Sequence, residues 1–216
     1  MNRLDIEQLP AKLLVEGNDD LHVVLAICHQ FKVVQSFGIV DSKGIDALLV
    51  QIPVRIKLRD SNLGILIDAD VDIHARWQQL QNILTPLGYD LPEVPNAKGT
   101  IVNSSKATTI VGIWIMPNNQ VPGMLEDFAQ VLIPLDDAAL PLATKAIDEV
   151  LNKSAAKFSP VHRSKALIHT WLAWQESPGT PLGLAITKSY LDHNHALCGL
   201  FVNWLNRLFN PESEAS

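Results

Sequence analysis

Two apolar runs that each end in a knot of carboxylates constrain this chain more than any other feature: LLVEGNDD at residues 13–20 and ILIDADVD at residues 65–72. A run of Leu, Ile and Val this short reads as a strand buried on both faces. Acids set against the end of such a strand are costly unless they face a ligand or a cation.

The segments between and around these runs alternate. Strands are expected at 12–17, 33–38, 63–68 and 109–116, with helices at 19–31, 45–52, 72–84 and from about Met124. Pro53 is expected to disturb or end the second helix, because proline lacks the N–H that an interior turn uses. Ile73, Trp77, Leu80 and Leu84 recur at helical spacing and mark one apolar face. Strand–helix alternation implies an α/β fold, a mostly parallel sheet flanked by helices. In such sheets ligands collect outside the carboxyl ends of the strands. Both acid clusters follow strands, so the topology draws them to one edge despite their separation in sequence.

After about residue 137 the pattern turns helical, over 140–155, 163–175 and 195–209. The organisation expected is an α/β domain over 1–135, a helical C-terminal extension packed on it over 136–210, and a disordered tail at 211–216.

Composition narrows the partners. The 216 residues carry a net charge of −6, which argues against a broad basic platform for nucleic acid but not against phosphate reached through a metal ion. Residues 1–10, MNRLDIEQLP, hold acids where a signal peptide needs an apolar stretch, and no run is long enough to span a bilayer, so a cytoplasmic location without membrane contact is expected. Cys28 and Cys198 lack any CxxC context and read as reduced, buried thiols.

In DADVD, an extended chain would turn Asp68, Asp70 and Asp72 to one side, and the plain alternative is that these acids are strand-end and helix N-cap residues facing solvent. Two carboxylates about 4 Å apart repel by about 4 kcal/mol at an effective dielectric near 20. A hard divalent cation reverses that cost. Mg²⁺ takes one or two carboxylates and keeps water and substrate phosphate as its other ligands. Glu16, at a different strand end and followed by Gly17, is placed to coordinate such an ion or to act as general acid/base. Glu126 and Asp127 open the helix after the strand that carries Trp114, and read either as helix-dipole partners or as ligands completing a second cation site. Lys43, in the DSKG turn, reads as a phosphate contact or as an exposed turn lysine. His193 and His195 read as a helix-entry loop, and Trp171, Trp174 and Trp204 as core or subunit contact.

LLVEGNDD followed by ILIDADVD resembles the TOPRIM domain of topoisomerases, DnaG-type primases and overcoming-lysogenization-defect nucleases. VEG at 15–17 and DADVD at 68–72 are especially similar to the type II topoisomerase versions, and the resemblance covers about residues 11–120. WIMPNNQVPGMLEDF is similar to a segment of small stand-alone prokaryotic TOPRIM-like proteins. The resemblance implies a TOPRIM-like, Rossmann-like sheet. It also implies Mg²⁺ (or Mn²⁺) held by Asp68, Asp70 and Asp72, with Glu16 as general acid/base in phosphodiester cleavage of nucleic acid. The cleavage tyrosine domain, the primase zinc segment and a Walker loop have no counterpart here.

Three functions follow as expectations. The first is a Mg²⁺-dependent nuclease. The second is a non-catalytic module that binds Mg²⁺ and a nucleic-acid end or nucleotide phosphate to assist a partner ATPase, with a homo-oligomer also open. The third, a haloacid-dehalogenase-like phosphatase, also uses DxD but needs its nucleophilic Asp where this chain has Glu16.

Overall fold

Leu13 and Val15 point to one side of the first strand and Leu14 to the other, and all three are fully buried, so this strand is covered on both faces. The computed structural model describes residues 9–58 and 61–211. Among them the elements run β1 (Ala11–Val15), α1 (Asn18–Gln30), β2 (Phe37–Asp41), α2 (Ile45–Lys57), β3 (Asn62–Asp68) and α3 (Ile73–Leu84). There follow β4 (Thr100–Val102), β5 (Ile110–Met116), α4 (Leu125–Val131), α5 (Ala139–Asn152), α6 (Arg163–Ala173), α7 (Leu182–Thr187) and α8 (Ala196–Phe209).

The five strands form one sheet in the order β2-β1-β3-β5-β4. The first four in that order run parallel, and β4 pairs antiparallel with β5 at the edge. This is the α/β, Rossmann-like architecture with helices on both faces. The chain goes outward from β1 to β2, then returns to lay β3 on the other side of β1. That reversal opens a crevice at the carboxyl ends of β1 and β3. Glu16 follows β1, and Asp68 is the last residue of β3.

Side-chain alternation sorts the core into two layers. Leu14, Ile65, Ile67, Ile113 and Ile115 pack with α2 and α3, including Trp77 and Leu80. Leu13, Val15, Leu66, Trp114 and Met116 pack with α1 and the C-terminal helices. Helix α8 seats directly on the sheet, where Gly64 and Gly112 are cross-strand partners. A Cβ at Gly112 would lie 2.4 Å from Leu208 Cδ2, and one at Gly64 would lie 2.9 Å from the Phe209 ring. The glycine pair is thus the trough that admits this helix. Trp114 contacts Phe201 and Trp204 from the same helix, ring against ring, and Trp171 is fully buried while Trp174 is half-exposed.

Four local expectations change. Val33 does not begin a strand: its N–H closes the end of α1 on the Cys28 carbonyl, with Lys32 in the left-handed region, and β2 starts only at Phe37. Pro53 lies inside α2 rather than at its end, because Ile52 and Ile56 on either side of it are both buried. Strand β4 and helix α7 are additional, and both are too short to show a period. The tail expected at 211–216 lies outside the described residues apart from Pro211. Among the described residues no helix is long and apolar enough to cross a membrane.

Candidate functional site

Two backbone hydrogen bonds tie the loop after β2 to the end of β1: Ser42 N–H donates to the Val15 carbonyl at 2.9 Å and Gly44 N–H to the Glu16 carbonyl at 2.8 Å. Across β1, the Asp68 N–H donates to Glu16 Oε1 at 2.8 Å. The Leu125 N–H, at the start of α4, donates to Asp68 Oδ1 at 3.0 Å. Three loops are thereby drawn around the ends of β1 and β3. They enclose a cleft of about 480 Å³ lined by Glu16, Asp20, Asp68 and Glu126, with Lys43 and Lys165 on its walls.

The cleft is rich in acid and poor in compensation. Asp20 and Glu126 are buried, although carboxylates are rarely so unless paired. Burial first, and then the charges of Asp20, Glu16 and Glu126, push Asp68 up to about 9. Asp20 rises to about 7, first through burial and then through Glu16. Glu16 is also raised by burial, against the opposing pull of the Asp68 N–H bond and the Arg76 charge. Lys165 Nζ stands 3.1 Å from Glu126 Oε1, and this carboxylate raises the lysine above its usual range.

Of the acids expected at the site, Glu16, Asp68 and Glu126 share the cleft, and the other three are engaged elsewhere. The alternation argument lapses at Asp68, where the strand ends. Asp70 takes a left-handed backbone, φ 53°, and pairs both ways with Gly123. Its carboxylate binds the guanidinium of Arg76. Asp72 is the N-cap of α3, and its Oδ1 accepts from the N–H groups of His74 and Ala75 at 2.9 and 3.0 Å. Asp127 is likewise a cap residue: Oδ2 accepts the Met124 N–H at 2.8 Å, and Oδ1 accepts from the Ser164 hydroxyl. Of the pair opening α4, the first residue faces the cleft and the second holds the helix start. Lys43 lines the cleft but pairs with Asp41, which that pairing lowers below its ordinary value despite partial desolvation.

Asp20 and Lys165 join the site without having been singled out for it. Asp20 sits in the first turn of α1, where a helix-dipole role accounts for an acid equally well, and it does accept the Gly17 N–H at 3.0 Å. Its spacing of four from Glu16 was the available signal. Lys165 comes from α6, and no local pattern links it to a cleft built around 100 residues earlier.

A hard cation fits the chemistry of this donor set, since it is all carboxylate oxygen. Among the described residues, no three His, Cys, Asp or Glu side chains are gathered tightly enough to cage an ion by themselves. Cys28 and Cys198 are free and buried, and burial drives both thiols up to about 12. His195 caps α8, its Nδ1 accepting the Leu197 N–H.

A family model described as "protein of unknown function (DUF3226)" matches residues 10–210, and the chain belongs to that family. No curated protein and no solved structure matches it.

Proposed function

We propose that the cleft is a Mg²⁺-dependent phosphodiester-hydrolysing site of the TOPRIM kind, acting on nucleic acid. The observation that carries this reading is the convergence of Glu16, Asp20, Asp68 and Glu126 at the switch point of the sheet, with Lys165 paired to Glu126. Four acids in one cleft repel each other and resist ionisation, which the raised Asp68 and Asp20 express. When bound, a divalent cation supplies the missing positive charge and polarises a phosphoryl oxygen.

Glu16 suits proton transfer. One of its oxygens is fixed by the Asp68 N–H, and burial raises its carboxyl above the ordinary glutamate value, the direction that suits a general acid/base. Asp68, oriented by the Leu125 N–H, and Asp20 are the ligands best placed to hold the ion, with Glu126 beside them. Lys165 is the group available for charge that develops on a phosphate, and its pairing with Glu126 keeps it protonated. Lys43 serves the rim.

A second reading, a non-catalytic module assisting a partner ATPase, is favoured by one feature: Asp70 and Asp72, two of the three DADVD acids, are held in bonds within the protein. Turnover separates the two. Purified protein is incubated with single- and double-stranded DNA, RNA and a nitrophenyl phosphodiester, with Mg²⁺ or Mn²⁺ and with EDTA. Metal-dependent cleavage that falls about a hundredfold or more in Glu16→Gln is expected, the range for losing a general acid/base. Absence of cleavage, or cleavage untouched by Glu16→Gln, sinks the nuclease reading.

A further inference from the structure

Arg76 is the most fully engaged cation near the cleft, and the acid-cleft reading gives it no role. Its Nε donates to the Asp68 carbonyl at 2.9 Å, Nη1 donates to Gln79 Oε1 at 2.7 Å, and Nη2 holds the Asp70 carboxylate. The guanidinium is nearly buried, at 12% exposure, while the Asp70 side chain is 47% exposed. Its charge is also felt by Glu16 inside the cleft. The backbone under Asp70 is clamped, with its N–H and carbonyl bonded to Gly123 at 3.0 and 2.8 Å and Ala69 N–H bonded to the Met116 carbonyl at 3.2 Å. What is left to move is the Asp70 side chain. It lies on the outer side of the loop, with Arg76, Gln78 and Gln79, and not among the residues lining the acidic cleft.

We infer that Arg76 is a positioning residue that competes with the metal for Asp70: without a metal it parks that carboxylate outside the cleft, and cation binding draws Asp70 away from it. This rests on the metal-site reading above. The physical reason is that a fixed side-chain cation and an incoming divalent ion seek the same acid. The guanidinium does not follow Asp70, because the Asp68 carbonyl and Gln79 retain it. One charge then keeps the metal-free loop in order and sets a threshold for loading it.

Binding of Mn²⁺ alone, followed by calorimetry or by its spin-resonance signal, tests this without reference to activity. Arg76→Gln is expected to tighten Mn²⁺ binding about tenfold, a difference of about 1.4 kcal/mol. The gain should disappear in the double variant with Asp70→Asn, because the coupling runs through that carboxylate. Asp70→Asn alone, at a half-exposed position whose backbone bonds are kept, should weaken binding about tenfold. Unchanged or weaker binding in Arg76→Gln overturns the inference, as does a gain that survives in the double variant. Unchanged binding in Asp70→Asn overturns it even if Arg76→Gln does not fold. Asp68→Asn separates the two levels. Mn²⁺ binding that it abolishes but that ignores Asp70 and Arg76 overturns this inference alone. A wild-type chain that binds no Mn²⁺ overturns the underlying site as well.

Discussion

Asp68 and Asp72 are the same residue type four positions apart in one motif, and the fold treats them oppositely. Asp68 ends a central strand, lies half-buried among other acids and resists losing its proton. Asp72 stands in solvent and satisfies two N–H groups of a helix start. Glu126 and Asp127 repeat the contrast between direct neighbours: one faces the cleft, the other bridges Met124 and Ser164. Motif spacing therefore nominates acids, but burial and the available donors decide whether a carboxylate is a potential ligand or a cap.

The largest effect that sharpens this contrast belongs to Asp68→Asn. The amide is neutral, like the protonated carboxyl that the fold keeps near pH 7, and its oxygen retains the Leu125 N–H bond, so the metal-free protein should melt at about the same temperature there. Stabilisation by millimolar Mg²⁺ or Mn²⁺ should largely vanish; for the wild type it reaches about 2.7 kcal/mol when ligand exceeds Kd a hundredfold. Thermal melts with and without metal measure both. A large loss of metal-free stability would make Asp68 a structural acceptor and erase the contrast with Asp72.

The next effect is on pH. The folded values of Asp20 and Asp68 are raised, to about 7 and about 9, above the 3.8 of the unfolded chain. Between those limits the folded state binds more protons than the unfolded one, so this stabilising contribution is complete below pH 3.8 and is lost as pH rises through 7 and then 9. Urea unfolding in EDTA should show stability declining across that window. The decline should flatten in the Asp20→Asn, Asp68→Asn double variant. A profile unchanged by the substitutions would mean that the cleft acids carry no such strain.

Asp72→Ala should cost about 1 kcal/mol, the usual effect of removing an N-cap, while leaving the metal-dependent shift intact. Loss of that shift would return Asp72 to the ligand set. The smallest effect is at Lys43→Ala. Its ion pair with Asp41 is exposed on the lysine side, so denaturant unfolding should register a change within about 1 kcal/mol. A larger loss would give this turn a structural role.

Much of this was legible in the residues themselves. The apolar runs at 13–15 and 63–67 read as strands covered on both faces from their length and flanks, and Ile73, Trp77, Leu80 and Leu84 as one face of a helix from their spacing. That the acids after β1 and β3 meet follows from parallel alternation, since every such strand ends at the same edge. Local chemistry also determines Asp72 as a cap, although its place in a DxD-like motif obscured it.

Tertiary structure alone decided the rest. Whether Asp70 faces the cleft or Arg76 depends on a left-handed residue clamped to Gly123, more than 50 positions away in the chain. Lys165 reaches Glu126 only because α6 packs against α4, and a lone lysine in a helix carries no mark of its partner. The trough of Gly64 and Gly112 needs both the β3–β5 register and the approach of α8 before either glycine has a reason to be there. Periodicity is a property of neighbours along the chain, whereas charge balance and close packing are set by neighbours in space.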